Sequence, residues 1–254
     1  MSKSNEIIDC HVHITESGKW YNTNYDASVN NLLKQMDEAK INKSVILPIR
    51  GATSNLFIKK TCETYSDRFI GFGNVSCKTW KDDLKQILDY DLKGIKFHPR
   101  IQNESILEWD QIGLLNEIQN LNLPLLICGW QQTSSIVANM KNLQPIIIDE
   151  IAKKYPNLKI IIAHMGGHKY LDAFFCARSN PNVYLDCSYF FTFFKNTSLE
   201  RDALVLFNKL DEKILFGSDF PECNIPNYLN YLNDQANEYE IDLSKMMNNF
   251  NKIH

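Results

Sequence analysis

The stretch Ile7–Ile14 reads IIDCHVHI, setting an aspartate and two histidines, Asp9, His11 and His13, at every second position of an apolar, β-forming run. In a strand, residues two apart leave on the same face, so these three polar groups share one side while Ile8, Cys10 and Val12 take the other. Imidazole and carboxylate together suit zinc or a neighbouring divalent ion, and H-x-H on a strand delivers two ligands to one ion. A solvated polar face would show the same alternation, so the choice rests on what the remaining chain brings to that side. Further chemistry-bearing residues stand where other short apolar runs end: His98 in GIKFHP, Cys128 in PLLICG, His164 in KIIIAHMG and Asp219 in KILFGSDFP. Counted with His11 and His13, four of the six histidines stand at such positions.

The elements that must position them are legible as an alternation. The apolar runs EIIDCHVHI, KSVILPI, FIGFGNVS, GIKFHP, PLLICG, KIIIAHMG, NVYLDCS and KILFGSDFP are nearly continuous in hydrophobicity, the habit of strands buried on both faces in a parallel sheet. Between them lie helical stripes: Val29, Leu32, Leu33 and Met36; Ile148, Ile151, Ala152 and Tyr155; and Leu199, Ala203, Leu206, Phe207 and Leu210. Strand and helix repeated eight times in about 250 residues predict a (β/α)8 TIM barrel, α/β in class, as a single domain over residues 1–254. A doubly wound open sheet is the runner-up. It would bring a Gly-rich phosphate loop after an early strand, and the one candidate, GFGNVS at Gly71, lies within a strand.

In a barrel the chemistry sits at the C-terminal ends of the strands. That end would collect His11, His13, His98, His164 and Asp219, a gathering that a set of isolated structural histidines does not explain. The last strand lies beside the first when a barrel closes, so Asp219 would approach the histidine pair. With a metal and an open position for water, Asp219 could take the proton from that water, and His164 could orient it or stabilise charge on the substrate.

Composition narrows the function classes. Hydrophobic residues make up 44% and charged residues 22% of the chain, as in ordinary globular proteins. A net charge of −3 and the lack of a basic, aromatic-interleaved cluster give no case for nucleic acid. No apolar run approaches membrane-spanning length, and the N-terminus lacks the apolar core of a signal peptide. Seven cysteines without a C-x-x-C pair read as reduced thiols, and the expected location is cytoplasmic.

DCHVH, GIKFHP, IIIAHMGG, NVYLDCS and ILFGSDFP, in this order and spacing, resemble the amidohydrolase superfamily. The closest resemblance is to its compact branch, amidohydrolase family 2, which includes aminocarboxymuconate-semialdehyde decarboxylase and related decarboxylases. The resemblance spans nearly the whole chain. It implies a TIM barrel with one divalent metal, usually zinc, with His11, His13 and Asp219 matching metal ligands and His164 the histidine that assists catalysis. One position departs from the family. Where strand 5 usually ends in a ligating histidine, this chain has Cys128. In order of preference, Cys128 binds the metal as thiolate, His98 takes over as ligand, or the site has decayed or works without metal. Lys96 occupies the strand whose lysine bridges two metals in binuclear relatives, but this branch carries a lysine there while mononuclear. One metal is therefore expected, and Lys96 would bind a substrate carboxylate or phosphate.

Arg100 is a candidate anion anchor. Trp130, with Gln131 and Gln132 beside it, is a candidate substrate contact. The aromatic run Tyr189, Phe190, Phe191, Phe193 and Phe194 fits a hydrophobic wall over the site or, equally, a homodimer contact. The expected function is a metal-dependent hydrolase acting on an amide, ester or lactone-type carbon of a small molecule. The alternatives are non-oxidative decarboxylation of an unsaturated or aromatic acid, and a non-catalytic binding protein on a decayed barrel.

Overall fold

Each apolar run forms parallel strand. The computed structural model describes residues 6–131 and 144–253, so Gln132 lies outside the described residues. The strands are β1 (Ile8–Val12), β2 (Lys43–Ile46), β3 (Phe69–Gly71), β4 (Gly73–Asn74), β5 (Ile95–Phe97), β6 (Leu125–Ile127), β7 (Ile160–Ile162), β8 (Val183–Asp186) and β9 (Ile214–Leu215). The third run contributes two of them, because pairing changes partner at Phe72: β3 pairs with β2, and β4 with β5. Glycines flank that point for want of space. A Cβ on Gly71 would lie 2.7 Å from Ile58 Cγ2, and one on Gly73 would lie 2.4 Å from Ile87 Cγ1, both on covering helices.

The strands run in the order β1-β2-β3 and then β4 to β9, all parallel. Backbone hydrogen bonds join the last strand to the first: Cys10 N donates to Phe216 O at 2.8 Å, Asp219 N to His11 O at 2.8 Å and His13 N to Phe220 O at 2.7 Å. The result is a (β/α)8 barrel, with Asp219 carried to the end of β1.

Two apolar layers hold it. Alternate strand residues, among them Cys10, Val45, Leu126, Ile161 and Leu215, form an inner cluster with Phe72. The opposite strand faces pack on the helices in a larger cluster. The helix Val29–Glu38 is capped by Ser28, whose side chain accepts from Asn31 N, and it buries Leu32 and Met36. Each such burial contributes roughly 1.5–3 kcal/mol. The helices Pro145–Lys154 and Ser198–Phe207 carry the predicted stripes except for their last members, Tyr155, which caps the first, and Leu210, which lies beyond the second; the first is opened by proline in its first turn and the second capped by Thr197.

Strict alternation along β1 does not hold. Its register against β2 shifts between Asp9 and Val12, as at a β-bulge, and Cys10 packs inside whereas Val12 packs toward the helices. A bulge re-aims side chains locally, and here it falls where His11 enters the site. Among the described residues no helix is long and apolar enough to cross a membrane.

Candidate active site

The strand ends converge on a cavity of about 370 Å³ whose lining includes His13, Lys96, His98, Cys128, His164 and Asp219. Arg100, Trp130, Trp20, Tyr21, Tyr189 and Glu222 complete much of its wall. His11 lies beneath, fully buried.

At the floor, three acceptor atoms crowd together. His11 Nε2 is 3.2 Å from His13 Nε2 and 3.4 Å from Asp219 Oδ1, and His13 Nε2 is 3.5 Å from the same oxygen. His164 joins them, placing a ligand atom within 4.8 Å of those of His11 and Asp219. The outer nitrogens of the pair are already engaged: His13 Nδ1 donates to Leu47 O at 2.8 Å, and His11 Nδ1 to Asp186 Oδ2 at 2.9 Å. A neutral imidazole that donates from Nδ1 carries its lone pair on Nε2. Two lone pairs and a carboxylate oxygen at these separations repel; the Lys96 ammonium, 3.2 Å from His11 Nε2, meets one of them, whereas a divalent ion would meet all three at once. The donor set of imidazole and carboxylate fits a divalent ion such as zinc.

Electrostatics follow from burial and neighbours. Burial and the Lys96 cation push His11 down to about 3, keeping its ring neutral. Burial opposes ionisation of Asp219, but His13, His11 and His164 outweigh it and hold the carboxyl well below the usual range. Lys96 is 1% exposed with Nζ 3.2 Å from His11 Nε2, and burial lowers its pKa. Asp9 Oδ1 accepts from His11 N at 3.1 Å and Ser218 N at 2.9 Å, tying β1 to the segment after β9. Its Oδ2 is buried without a partner, and burial raises the carboxyl to about 7.

The second group is Cys128 with His98 and His164. Burial disfavours a thiolate at Cys128, yet hydrogen bonds and charge from His98 and His164 draw its pKa well below that of an ordinary thiol. Burial likewise opposes charge on His164, and Cys128 raises it to about 9. His98 Nδ1 caps the short helix Pro99–Gln102 by accepting from Ile101 N at 3.3 Å. Its Nε2–H is thereby left as the donor to Cys128. Four of the residues lining the cavity hold left-handed backbone, Tyr21 at φ 48°, His164 at φ 56°, Tyr189 at φ 60° and Asp219 at φ 69°, a conformation that non-glycine residues seldom adopt and that clusters at functional sites.

Of the described residues singled out from the sequence, His13, Lys96, His98, Arg100, Cys128, Trp130, His164 and Asp219 all line this cavity. Trp130 stands edge-on to His164 with ring centroids 6.0 Å apart. The aromatic run divides: Phe190 and Phe191 are core, Tyr189 lines the cavity and Phe193 is 53% exposed. Sequence reasoning missed Asp186, Ser188 and Trp20. Asp186 ends a strand in NVYLDCS, the one signal that could have marked it. Trp20 stacks on His13 at 5.3 Å and donates to Glu222 Oε1 at 2.9 Å, contacts that no local pattern announces.

A family model described as amidohydrolase matches residues 8–244. The chain is similar in structure to an uncharacterised TIM-barrel protein from Bordetella bronchiseptica, with a TM-score of 0.81 at 16% identity over 97% of each chain. It is also similar to a probable 2-pyrone-4,6-dicarboxylic acid hydrolase from Acinetobacter baumannii (TM-score 0.69, 16% identity, 95% of each chain). A third likeness is to 5-carboxyvanillate decarboxylase from Sphingomonas paucimobilis (TM-score 0.71, 12% identity, 98% of each chain). No curated protein matches.

Proposed function

The chain belongs to the amidohydrolase family, and from that premise we propose that the cavity is the active centre of a metal-dependent hydrolase acting on a small anionic molecule. The observation that carries this is the convergence of His11 Nε2, His13 Nε2 and Asp219 Oδ1 within 3.5 Å at the cavity floor. His11, His13 and Asp219 would hold one divalent ion, zinc by the donor set. Cys128 is the proposed further donor, and His98, hydrogen-bonded to it, supports it instead of ligating. A bound ion supplies Lewis acidity and lowers the pKa of coordinated water.

The chain's own groups do the rest. One oxygen of Asp219 faces the histidine pair, which leaves the other to accept the proton of the attacking water. His164, kept cationic by Cys128, steadies the oxyanion that develops on an amide, ester or lactone carbon. Lys96 and Arg100 offer positive charge to a substrate carboxylate, and Trp130 and Trp20 form flat walls that exclude water from the reacting carbon.

A second reading, non-oxidative decarboxylation, is favoured by that cationic wall. It suits a carboxylate held for loss of CO2 as well as one held for orientation, and 5-carboxyvanillate decarboxylase shares the fold. Incubating zinc-loaded protein with a panel of lactones, amides and aromatic acids separates the two. Hydrolysis product without CO2 supports the first reading, and CO2 release without water addition replaces it with the second.

A further inference from the structure

Asp186 and Ser188 have no ligand or substrate role above, yet they touch two of the site histidines. We propose that Asp186 is a positioning residue. It fixes the tautomer of His11 directly, so that the ring turns Nε2 toward the cavity, and its other oxygen holds Ser188 and the His164 backbone in place. This rests on the reading of the cavity as a metal centre.

Donors and acceptors decide the matter. Asp186 Oδ1 accepts from His164 N at 3.1 Å, from Ser188 N at 3.0 Å and from the Ser188 hydroxyl. Asp186 Oδ2 lies 2.9 Å from His11 Nδ1. With its one proton given to Asp186, Ser188 Oγ can only accept from the two rings near it, His11 Nδ1 at 3.0 Å and His164 Nδ1 at 2.9 Å. The Ser188 carbonyl, 3.0 Å from His164 Nδ1, is an acceptor as well. Every group facing the two Nδ1 atoms therefore accepts, and both must carry hydrogen. Asp186, Ser188 and His11 are fully buried, so solvent supplies no substitute donor. Burial opposes ionisation of Asp186, but His11, His164 and Ser188 hold its carboxyl well below the usual range.

Asparagine at 186 separates this role from a merely space-filling one. Three donors meet at Oδ1, so the amide oxygen of Asn must stay there and its NH2 must face His11. The ring then has to accept at Nδ1 and turn Nε2–H on the cavity floor, where a metal would bind. Alanine at 188 leaves Asp186 Oδ2 in place, and the tautomer of His11 with it.

The test uses long-range proton–nitrogen correlation spectra of the imidazoles in metal-free wild type, Asp186→Asn and Ser188→Ala, together with zinc affinity by chelator competition. Expected are His11 with Nδ1–H in wild type and Ser188→Ala, and with Nε2–H in Asp186→Asn. Zinc affinity should fall about 10- to 100-fold in Asp186→Asn and by less than about tenfold in Ser188→Ala. His11 with Nε2–H in wild type overturns the proposal, and that spectrum needs no variant to fold. So does an Asp186→Asn protein that keeps Nδ1–H or binds zinc within about twofold of wild type. A wild type that takes up no zinc overturns the metal reading, while the spectra still decide the tautomer lock.

Discussion

Two charged clefts lie at opposite ends of the strands, and the larger of them lacks the marks of an active site. The one at the N-terminal ends, about 490 Å³, is lined by Lys43, Lys59 and Lys93 together with Glu6, Glu63 and Asp91. There each lysine has its own carboxylate: Lys43 with Glu6 at 3.2 Å, Lys59 with Glu63 at 2.8 Å, and Lys93 with Asp91. All six side chains are 29% exposed or more, so water screens each pair and little energy is stored. At the C-terminal ends, Lys96, His11, Asp186 and Asp219 are buried, and no one-to-one pairing resolves them. Asp219 Oδ1 faces two histidines, and His11 faces Asp186, Asp219 and Lys96. Charge count does not separate the clefts. Burial without simple pairing does, because a low-dielectric surrounding makes every neighbour felt.

Substitutions should sharpen that contrast in a graded way. The largest effect belongs to Asp219→Asn, which removes the one carboxylate at the acceptor cluster. Zinc affinity should fall well beyond the about 100-fold that loss of a supporting residue costs, and a variant that retains wild-type affinity by chelator competition would remove Asp219 from the ligand set. Asp9 comes next. Its carboxyl is raised to about 7 in the fold, so between about pH 4 and pH 7 the native state keeps a proton that the unfolded chain has lost. Stability of the metal-free protein therefore declines as pH rises through that window, by about 3 kcal/mol between pH 5 and pH 8 from this group. Asp9→Asn should flatten that part of the decline in urea titrations, and an unchanged slope would show that Asp9 ionises freely in the fold.

Gly217→Ala is expected to cost roughly 1–3 kcal/mol by overpacking, since an added Cβ would lie 2.9 Å from His11 Cβ and 3.2 Å from Ser188 Cβ. Thermal unfolding at wild-type temperature would mean that this end of the barrel yields more than its packing implies. The smallest effect belongs to the opposite cleft. Glu6→Gln should change stability by no more than about 0.5 kcal/mol and zinc affinity not at all. A larger change in either would break the distinction between the two ends.

The barrel was legible because burial on both faces leaves long apolar runs, and the chain has one wherever a strand lies. His11, His13, His98, His164 and Asp219 were legible because polar residues at the ends of such runs stand out against them. The bulge in β1 was not, since its evidence is the register against β2. Nor was the division of the third strand at Phe72, which follows from the approach of helices to Gly71 and Gly73. Asp186 and Ser188 escaped for a different reason. They serve His11 across more than 170 residues of chain, and a strand-end aspartate followed by a serine looks ordinary until the ring it faces is known. The proposed preference for Cys128 over His98 rests on a local contact, the capping of Pro99–Gln102 by His98 Nδ1, which shows only once the chain after β5 is known to turn into a helix.

The measurement that bears most directly on a metal centre at the floor of the cavity is calorimetric titration of zinc into metal-free wild type and His11→Ala. One zinc per chain in wild type, with binding lost in His11→Ala, is the predicted result. Wild type that binds no zinc, or His11→Ala that binds it as well as wild type does, would contradict it.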